Sequence, residues 1–579
     1  MIHSISADRP SFKTVTFNAG LNVILATRTK KSNKKDSANG LGKSTLINIL
    51  HFCLGGDKVG ALTRTALDNW TFTIKLDVCG RAYSVSRTVA KNAKIFVNGD
   101  CSDWPIPPNT SDDTQSFSID MWKRVLGYMM YGIGADMNTE YAPTFRSLIS
   151  YFVRKDADGG YGGEPFQHNS RQLTWDMQVN NAYLLGLDWR LASEMQHLRN
   201  RRNMLKVLKR KSIEYAMGDA LGDEAELDAV RTRLADEIAD EIKHMSSFKV
   251  HKEYQHLETD ANEMTKNVHE MSNQNVNDRR LLDLYRASMT EETDADPAQV
   301  AEIYKKSGLL FPDEVVKRLD DVRQFHKSIV MNRRDYLSSE ISRLEDAIQK
   351  RDKEIQKIGS KRTHIMNILK THGALDEFLR IQENHQDRVA ELKNVEHRLQ
   401  ILRDMDDEKN TLALDSTTLL QRMKSDLAER GMQRANATRA FNSYSKSLYS
   451  KPGTLSIGAT ESGYKFGVQI ERSDSHGYRN MKIFCYDLTL ARLWALGKNS
   501  PGFLMHDSAM FADVDKRQVA HAIRLADAES REHRYQYICM MNHDSVPLEE
   551  LGSDFNLDSH VSLRLTDATE DGSLLGMRF

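Results

Sequence analysis

Asn39-Gly40-Leu41-Gly42-Lys43-Ser44-Thr45 is the stretch on which the reading of the whole chain depends. Upstream, Phe17-Asn18-Ala19-Gly20-Leu21-Asn22-Val23-Ile24-Leu25 sets turn residues before a run of aliphatics, which predicts a buried strand. Downstream, Thr45-Leu46-Ile47-Asn48-Ile49-Leu50-His51-Phe52-Cys53 is apolar on more than one face and stops at Gly55-Gly56, which predicts a buried helix. Strand, glycine loop, Lys-Ser and helix together make a P-loop. The glycines let backbone N–H groups turn toward phosphate oxygens, Lys43 reaches the β and γ phosphates, and the Ser44 hydroxyl ligates Mg²⁺. Asn39, Gly40, Gly42, Lys43, Ser44 and Thr45 are therefore the expected contacts to ATP. One position departs from the motif, which opens on a glycine where this chain has Ser37.

Composition limits what surrounds this loop. At 579 residues the chain is long enough for several domains of ~100–200 residues. Its net charge of −1 gives no global basic field, so any DNA contact must use local patches. Charged residues at 28% with 11 prolines, and a mean hydropathy of −0.56, suit long charge-laced helices. No apolar run approaches the ~20 residues of a membrane span. Met1-Ile2-His3-Ser4-Ile5 lacks the basic-then-apolar layout of a signal peptide. The five cysteines are scattered and odd in number, without a Cys-x-x-Cys, which points to a reducing cytoplasm and against a zinc hook.

Taken in order, residues 1–189 read as a β-rich half-domain. Thr71–Val78, Ala82–Arg87 and Ile95–Asn98 alternate apolar and polar as antiparallel strands do. Arg28–Lys35 is a basic loop before the P-loop. Trp122–Tyr128 and Thr144–Arg154 read as helices, and Asp158–Gly163 as a glycine-rich loop whose neighbours Arg154, Gln167 and Gln172 are candidate sensors of the γ-phosphate. Residues 190–445 are helical. Leu337, Ile341, Leu344, Ile348, Ile355, Ile358, Ile365 and Leu369 form a heptad seam about 50 Å long. After a break at His372-Gly373, a second seam runs through Val389, Leu392, Val395, Leu399 and Leu402. Seam, break and seam predict that these two segments pair as an antiparallel hairpin. The longer N-terminal side, punctuated by Gly218–Gly222, Pro297 and Pro312, is expected to fold back as extra helices. Arg199, Arg201, Arg202, Lys206, Lys209, Arg210 and Lys211 form a basic run suited to DNA phosphates.

Residues 446–579 return to α/β. Thr454–Ile457 and Tyr464–Ile470 read as strands and Met481–Leu496 as a buried helix. Gly502–Asp507 and Tyr535–His543 are apolar strands ending in a carboxylate and a histidine. An acid closing a buried strand is the second half of a nucleotide–Mg²⁺ site, so Asp507 is expected beside Ser44. The fold class is thus α/β: a split P-loop ATPase head formed by the N- and C-terminal halves and joined by a long antiparallel coiled-coil insertion.

This layout resembles the SMC-type ABC ATPases, the group that includes double-strand-break-repair and RecN-like proteins. Asn39–Thr45, Asn480–Leu488 and Met505-His506-Asp507-Ser508 with Phe511 look most like the SMC-like subunit of Lamassu-type and related multi-component ABC anti-phage systems. The resemblance implies heads that dimerise around ATP, DNA binding, and control of an effector nuclease alongside an accessory subunit. It implies a γ-phosphate switch role for His543 and a signature loop near Ser475 and Gly477, though this chain lacks the usual Ser-Gly-Gly there. The family's catalytic glutamate is replaced by Ser508, which cannot act as a carboxylate base. Hydrolysis is then slow or uses another group, with His506, Asp513 and His543 as candidates. Two alternatives stay open: a DNA-repair ATPase of the same type, and an ATP-stabilised scaffold without DNA sensing.

Overall fold

The computed structural model describes residues 1–27, 40–111, 114–134, 139–215, 223–246, 252–291, 313–369, 375–449, 451–470, 476–567 and 569–577. Its strands are β1 (Ile2–Ala7), β2 (Val15–Thr16), β3 (Leu21–Thr27), β4 (Thr71–Val78), β5 (Arg81–Thr88), β6 (Lys94–Asn98), β7 (Asn109–Ser111), β8 (Thr114–Ser118), β9 (Thr454–Thr460), β10 (Gly463–Gln469), β11 (Phe503–His506), β12 (Gln536–Asn542) and β13 (Val561–Thr566). The chain divides into two compact units. One unites Met1–Asn200 with Leu414–Phe579, and the other holds most of what lies between.

The first unit is built on two sheets. A parallel sheet runs β11-β12-β3-β13, so one N-terminal strand is enclosed by three C-terminal ones. Val23 pairs with Cys539, Ala26 with Leu565, and Met505 with Ile538. Six successive residues of β3 and six of β12 are buried. Both faces of that sheet are covered, which is why these strands read as unbroken apolar runs. The second sheet, β2-β1-β4-β5-β6-β8-β7, is antiparallel, and β4 buries every other side chain. The fold is therefore the expected α/β head assembled from the two ends of the sequence.

Helix α1 (Lys43–Cys53) packs against β4 and β5 and buries Leu46, Ile47, Ile49, Leu50, His51, Phe52 and Cys53, around most of its circumference. Buried Arg87 closes its end, donating to the Phe52 and Gly56 carbonyls with its guanidinium 4.0 Å over the Phe52 ring. Gln536, on β12, ties the two sheets together. Its amide accepts from the Ile2 N–H at 2.6 Å and donates to the Ile2 and Asn18 carbonyls at 2.8 and 2.9 Å. Gln536→Leu is expected to destabilise the chain by about 2–5 kcal/mol, because several buried backbone groups lose a partner at once. A melting temperature equal to that of the wild type counts against this reading.

The segment Thr144–Arg154 departs from its expected helix. Thr144 caps a short helix, Phe145–Ile149, through the Ser147 N–H, and turns carry the chain on to Val153, whose N–H donates to the Ile149 carbonyl at 3.0 Å. Val153 forms a parallel bridge with Met505, whose N–H donates to the Phe152 carbonyl at 2.8 Å.

The second unit corrects the pairing of the seams. Leu344 and Ile348, on the helix Asp313–Leu369, pack with Leu282 of the helix Lys252–Glu291. Val395 and Leu399, on the helix Leu375–Glu429, pack with Leu227 and Leu234 of Glu224–Ser246. Among the described residues, the two seams thus pack on two different, earlier helices. Cross-helix ion pairs follow the same scheme, including Arg279–Asp352 at 2.8 Å and Arg403–Glu224 at 2.9 Å. Among the described residues, no helix is long and apolar enough to cross a membrane.

Candidate functional site

The strands β3, β11 and β12 are parallel, so their carboxyl ends share one edge of the sheet. The glycine loop and α1 follow β3, Asp507 follows β11, and His543 follows β12. The Ser44 hydroxyl donates to Asp507 Oδ2 at 2.9 Å across 463 positions of sequence. Gly42 stands at the N-terminus of α1 with φ 101°, and Gly40 has the same left-handed angle. Space fixes Gly42 as well: a Cβ there would lie 2.5 Å from the Leu574 Cβ, and the Leu574 N–H donates to the Leu41 carbonyl at 2.9 Å. Lys43 is buried at the first turn of α1. Burial lowers its pKa, and the nearby Asp507 charge works against that shift. Thr45 is half-buried in the same turn. Asn39, Ser37 and the basic loop Arg28–Lys35 lie outside the described residues.

This set suits a nucleotide phosphate with Mg²⁺. The hydroxyl of Ser44 and carboxylate of Asp507 are hard oxygen donors, as Mg²⁺ requires, and few enough to leave it several waters. Lys43 and the N-terminus of α1 supply the positive end. Glu529, Glu532 and His533 are also close enough to share an ion. Glu529, however, already accepts from the Tyr444 hydroxyl and has Arg492 at 3.7 Å, so a cation is already present there.

Asp507 is held from several directions. Its Oδ1 accepts from the Ser508 N–H at 2.6 Å, and its own N–H donates to the Tyr161 hydroxyl at 3.0 Å. Tyr161 belongs to the glycine-rich loop. Behind it, Arg154 forms a forked pair with Asp487 at 2.6 and 2.7 Å and donates to the carbonyls of Gly160, Pro165 and Gln167. His506 completes the cluster, with Nε2 3.1 Å from Asp487 and Nδ1 2.9 Å from the Tyr537 hydroxyl. Burial, helped by the nearby Arg154 charge, lowers the His506 pKa against the pull of Asp487.

Three expectations are corrected here. Arg154 is fully buried and committed to Asp487, so it is not a sensor facing a γ-phosphate. His506 is fully buried with both ring nitrogens engaged, which leaves no lone pair for a water. Gln172 is likewise turned inward, to Tyr151, His168 and Asp176. His543 is exposed at the start of a single 3₁₀ turn, and Asp513 is exposed with φ 59°. Gly477 touches Asp513 backbone to backbone, since a Cβ on Gly477 would meet the Asp513 carbonyl at 2.4 Å. Ser475 lies outside the described residues. Sequence reasoning missed Asp487 and Tyr161. The signal for Asp487 was a lone acid in the apolar run Ile483–Leu488.

The basic run is partly spent. Arg199 donates to the Ser462 carbonyl, and Arg201 pairs with Glu408 at 2.9 Å. Lys206 and Arg210 are exposed, while the side chains of Lys209 and Lys211 lie outside the described residues.

Residues 444–579 match the family model DUF2326, described as an uncharacterised protein conserved in bacteria. Residues 279–402 match C-terminal domain 10 of the ABC-three component systems. The chain is 21% identical over 597 aligned residues to the uncharacterized protein YydD of Bacillus subtilis (strain 168), covering 98% of this chain and 97% of that one. Among solved structures it is similar to an Smc head domain with coiled coil and joint from Pyrococcus yayanosii, at TM-score 0.37 and 12% identity over 98% of this chain and 94% of the other. A second is an Smc head from Pyrococcus furiosus with an extended coiled coil, bound to the C-terminal domain of ScpA, at TM-score 0.34 and 13% identity over 94% and 90%.

Proposed function

We propose that this chain is an SMC-like ATPase that binds ATP and Mg²⁺, pairs head to head with a second copy on ATP, and grips DNA. In this reading it is the sensor of an anti-phage complex of the ABC-three component kind, and it governs an effector nuclease together with an accessory subunit. The observation that carries the proposal is the Ser44–Asp507 contact of 2.9 Å. It closes a phosphate-and-metal site from the two ends of the chain, beside buried Lys43. The match of residues 279–402 supports the multi-component setting. Gly477, packed on the loop that carries Asp513, is the element that would face the partner head's nucleotide. His543 would meet the γ-phosphate from the end of β12. Without a glutamate after Asp507, turnover is slow, which suits a gate better than a motor.

The test is DNA binding by the purified chain with and without ATP–Mg²⁺, on linear and closed-circular DNA. ATP is expected to tighten binding, and a preference for linear DNA marks end sensing. Unchanged DNA binding on ATP addition favours the ATP-stabilised scaffold instead. Reversing Lys206 and Arg210 to glutamate is expected to lower the slope of log affinity against log salt by about 2, near 0.9 for each phosphate no longer neutralised. An unchanged slope removes these two residues from the DNA surface.

A further inference from the structure

The chain carries Ser508 directly after Asp507, where the family it resembles has the glutamate that holds the reacting water, so the site needs a carboxylate from elsewhere. We propose that Asp156 supplies it, holding the attacking water and taking its proton. The proposal rests on the nucleotide-hydrolysis reading above.

The register of two neighbouring segments places Asp156. Val153 bridges Met505 in parallel. One step on, Arg154 and His506 both reach the same carboxylate of Asp487, so the two segments still advance side by side. In sequence, Lys155 and Asp156 follow Arg154 as Asp507 and Ser508 follow His506. At Asp156 the chain turns: its carbonyl accepts from the Gly159 N–H at 2.8 Å, and the Lys155 carbonyl from the Gly160 N–H at 3.0 Å. The loop then returns to Asp507 through the Tyr161 hydroxyl. The turn that starts at Asp156 is thus tied beside β11 at its start, through Val153 and Arg154, and to Asp507 at its end.

The chemistry of the two residues differs in the useful direction. Asp507 is buried against Ser44, while Asp156 keeps an exposed face from which a water can be reached. The protein around Asp156, and next the negative charge of Asp507, raise its pKa. The other candidates are placed less well: His506 has no free nitrogen, and Asp513 sits on the loop packed under Gly477. In the step, a water oxygen lone pair forms the bond to the γ-phosphorus and its proton passes to Asp156. The bond from that phosphorus to the β,γ-bridging oxygen breaks with its electron pair going to ADP. The products are ADP and phosphate, and Asp156 returns the proton to solvent.

The experiment uses the full chain and measures ATP affinity and single-turnover hydrolysis separately. Asp156→Asn is expected to bind ATP within about 3-fold of the wild type and to hydrolyse it about 100-fold more slowly, the lower range for loss of a general base. Adding Ser508→Glu to Asp156→Asn is expected to recover at least part of that loss, because it returns a carboxylate to the neighbouring position. Asp156→Asn turning over at the wild-type rate overturns the proposal while leaving the ATP site intact. Loss of ATP affinity and turnover together, with no recovery from Ser508→Glu, overturns it in favour of a structural role. A wild-type chain that binds no ATP removes the nucleotide reading and this proposal with it, a result distinct from the other two.

Discussion

Lys43→Ala is expected to weaken ATP binding by about 10²–10³-fold, and with it to abolish any tightening of DNA binding by ATP. The ammonium is buried at the first turn of α1, where burial has already lowered its pKa. A desolvated cation on a phosphate makes charge-assisted hydrogen bonds worth about 1.5–3 kcal/mol each. Two such bonds account for the expected loss, at about 1.4 kcal/mol for each factor of ten. In the free protein the change is mild, because the desolvation cost of the ammonium disappears along with its attraction to Asp507. The chain should therefore melt near the wild-type temperature while failing to titrate with a fluorescent ATP analogue. An affinity within 3-fold of the wild type would show that the glycine loop does not hold phosphate.

Asp487→Asn is the second large effect, and it falls on stability. Asp487 is fully buried, accepts two short bonds from Arg154, and lies 3.1 Å from His506. Neutralising it strands the Arg154 guanidinium in the interior, which costs about 3–5 kcal/mol. Tyr161 belongs to the same loop that Arg154 holds, so the support of Asp507 is expected to loosen as well. Pairing the change with Arg154→Met removes the stranded charge and should recover part of the loss. Recovery stays incomplete because the carbonyls of Gly160, Pro165 and Gln167 lose their donor. Thermal melts of both single variants and the double variant measure the coupling. Additive losses would mean the pair does not act as a unit.

The contrast between Lys43 and Arg154 shows where sequence is informative. Lys43 was legible because its chemistry lies within seven consecutive residues. Asp507 was legible because a short apolar strand ending in an acid has its own local signature. Arg154 carries no such mark. A lone arginine reads as solvent-facing until the partner that neutralises it, 333 positions away, is found. The pairing of the two seams was hidden for a related reason. Heptad spacing identifies the apolar face of the helix Asp313–Leu369, but any other apolar face can cover it. The choice of Leu282 over the second seam follows from neighbours such as Arg351 with Asp278 and Arg286 with Glu345, which no single segment displays. The bridge from Val153 to β11 was hidden as well, since nothing in Thr144–Arg154 marks where its helix ends.

The enclosure of β3 between β12 and β13 has a consequence for the order in which the protein can be made. The strand leading to the glycine loop leaves the ribosome early, yet its first sheet neighbour is about 500 residues away. At about 5–20 residues per second, the interval is about 25–100 seconds. During that time the apolar residues Val23, Ile24 and Leu25 have no parallel neighbour, although the antiparallel strands of residues 2–118 can already pair among themselves. The phosphate site therefore cannot form before the whole helical segment has been translated. A chain truncated anywhere before β12 leaves β3 unpaired and prone to join strands of other chains. A separately made C-terminal half, supplied in time, has the strands needed to rescue it.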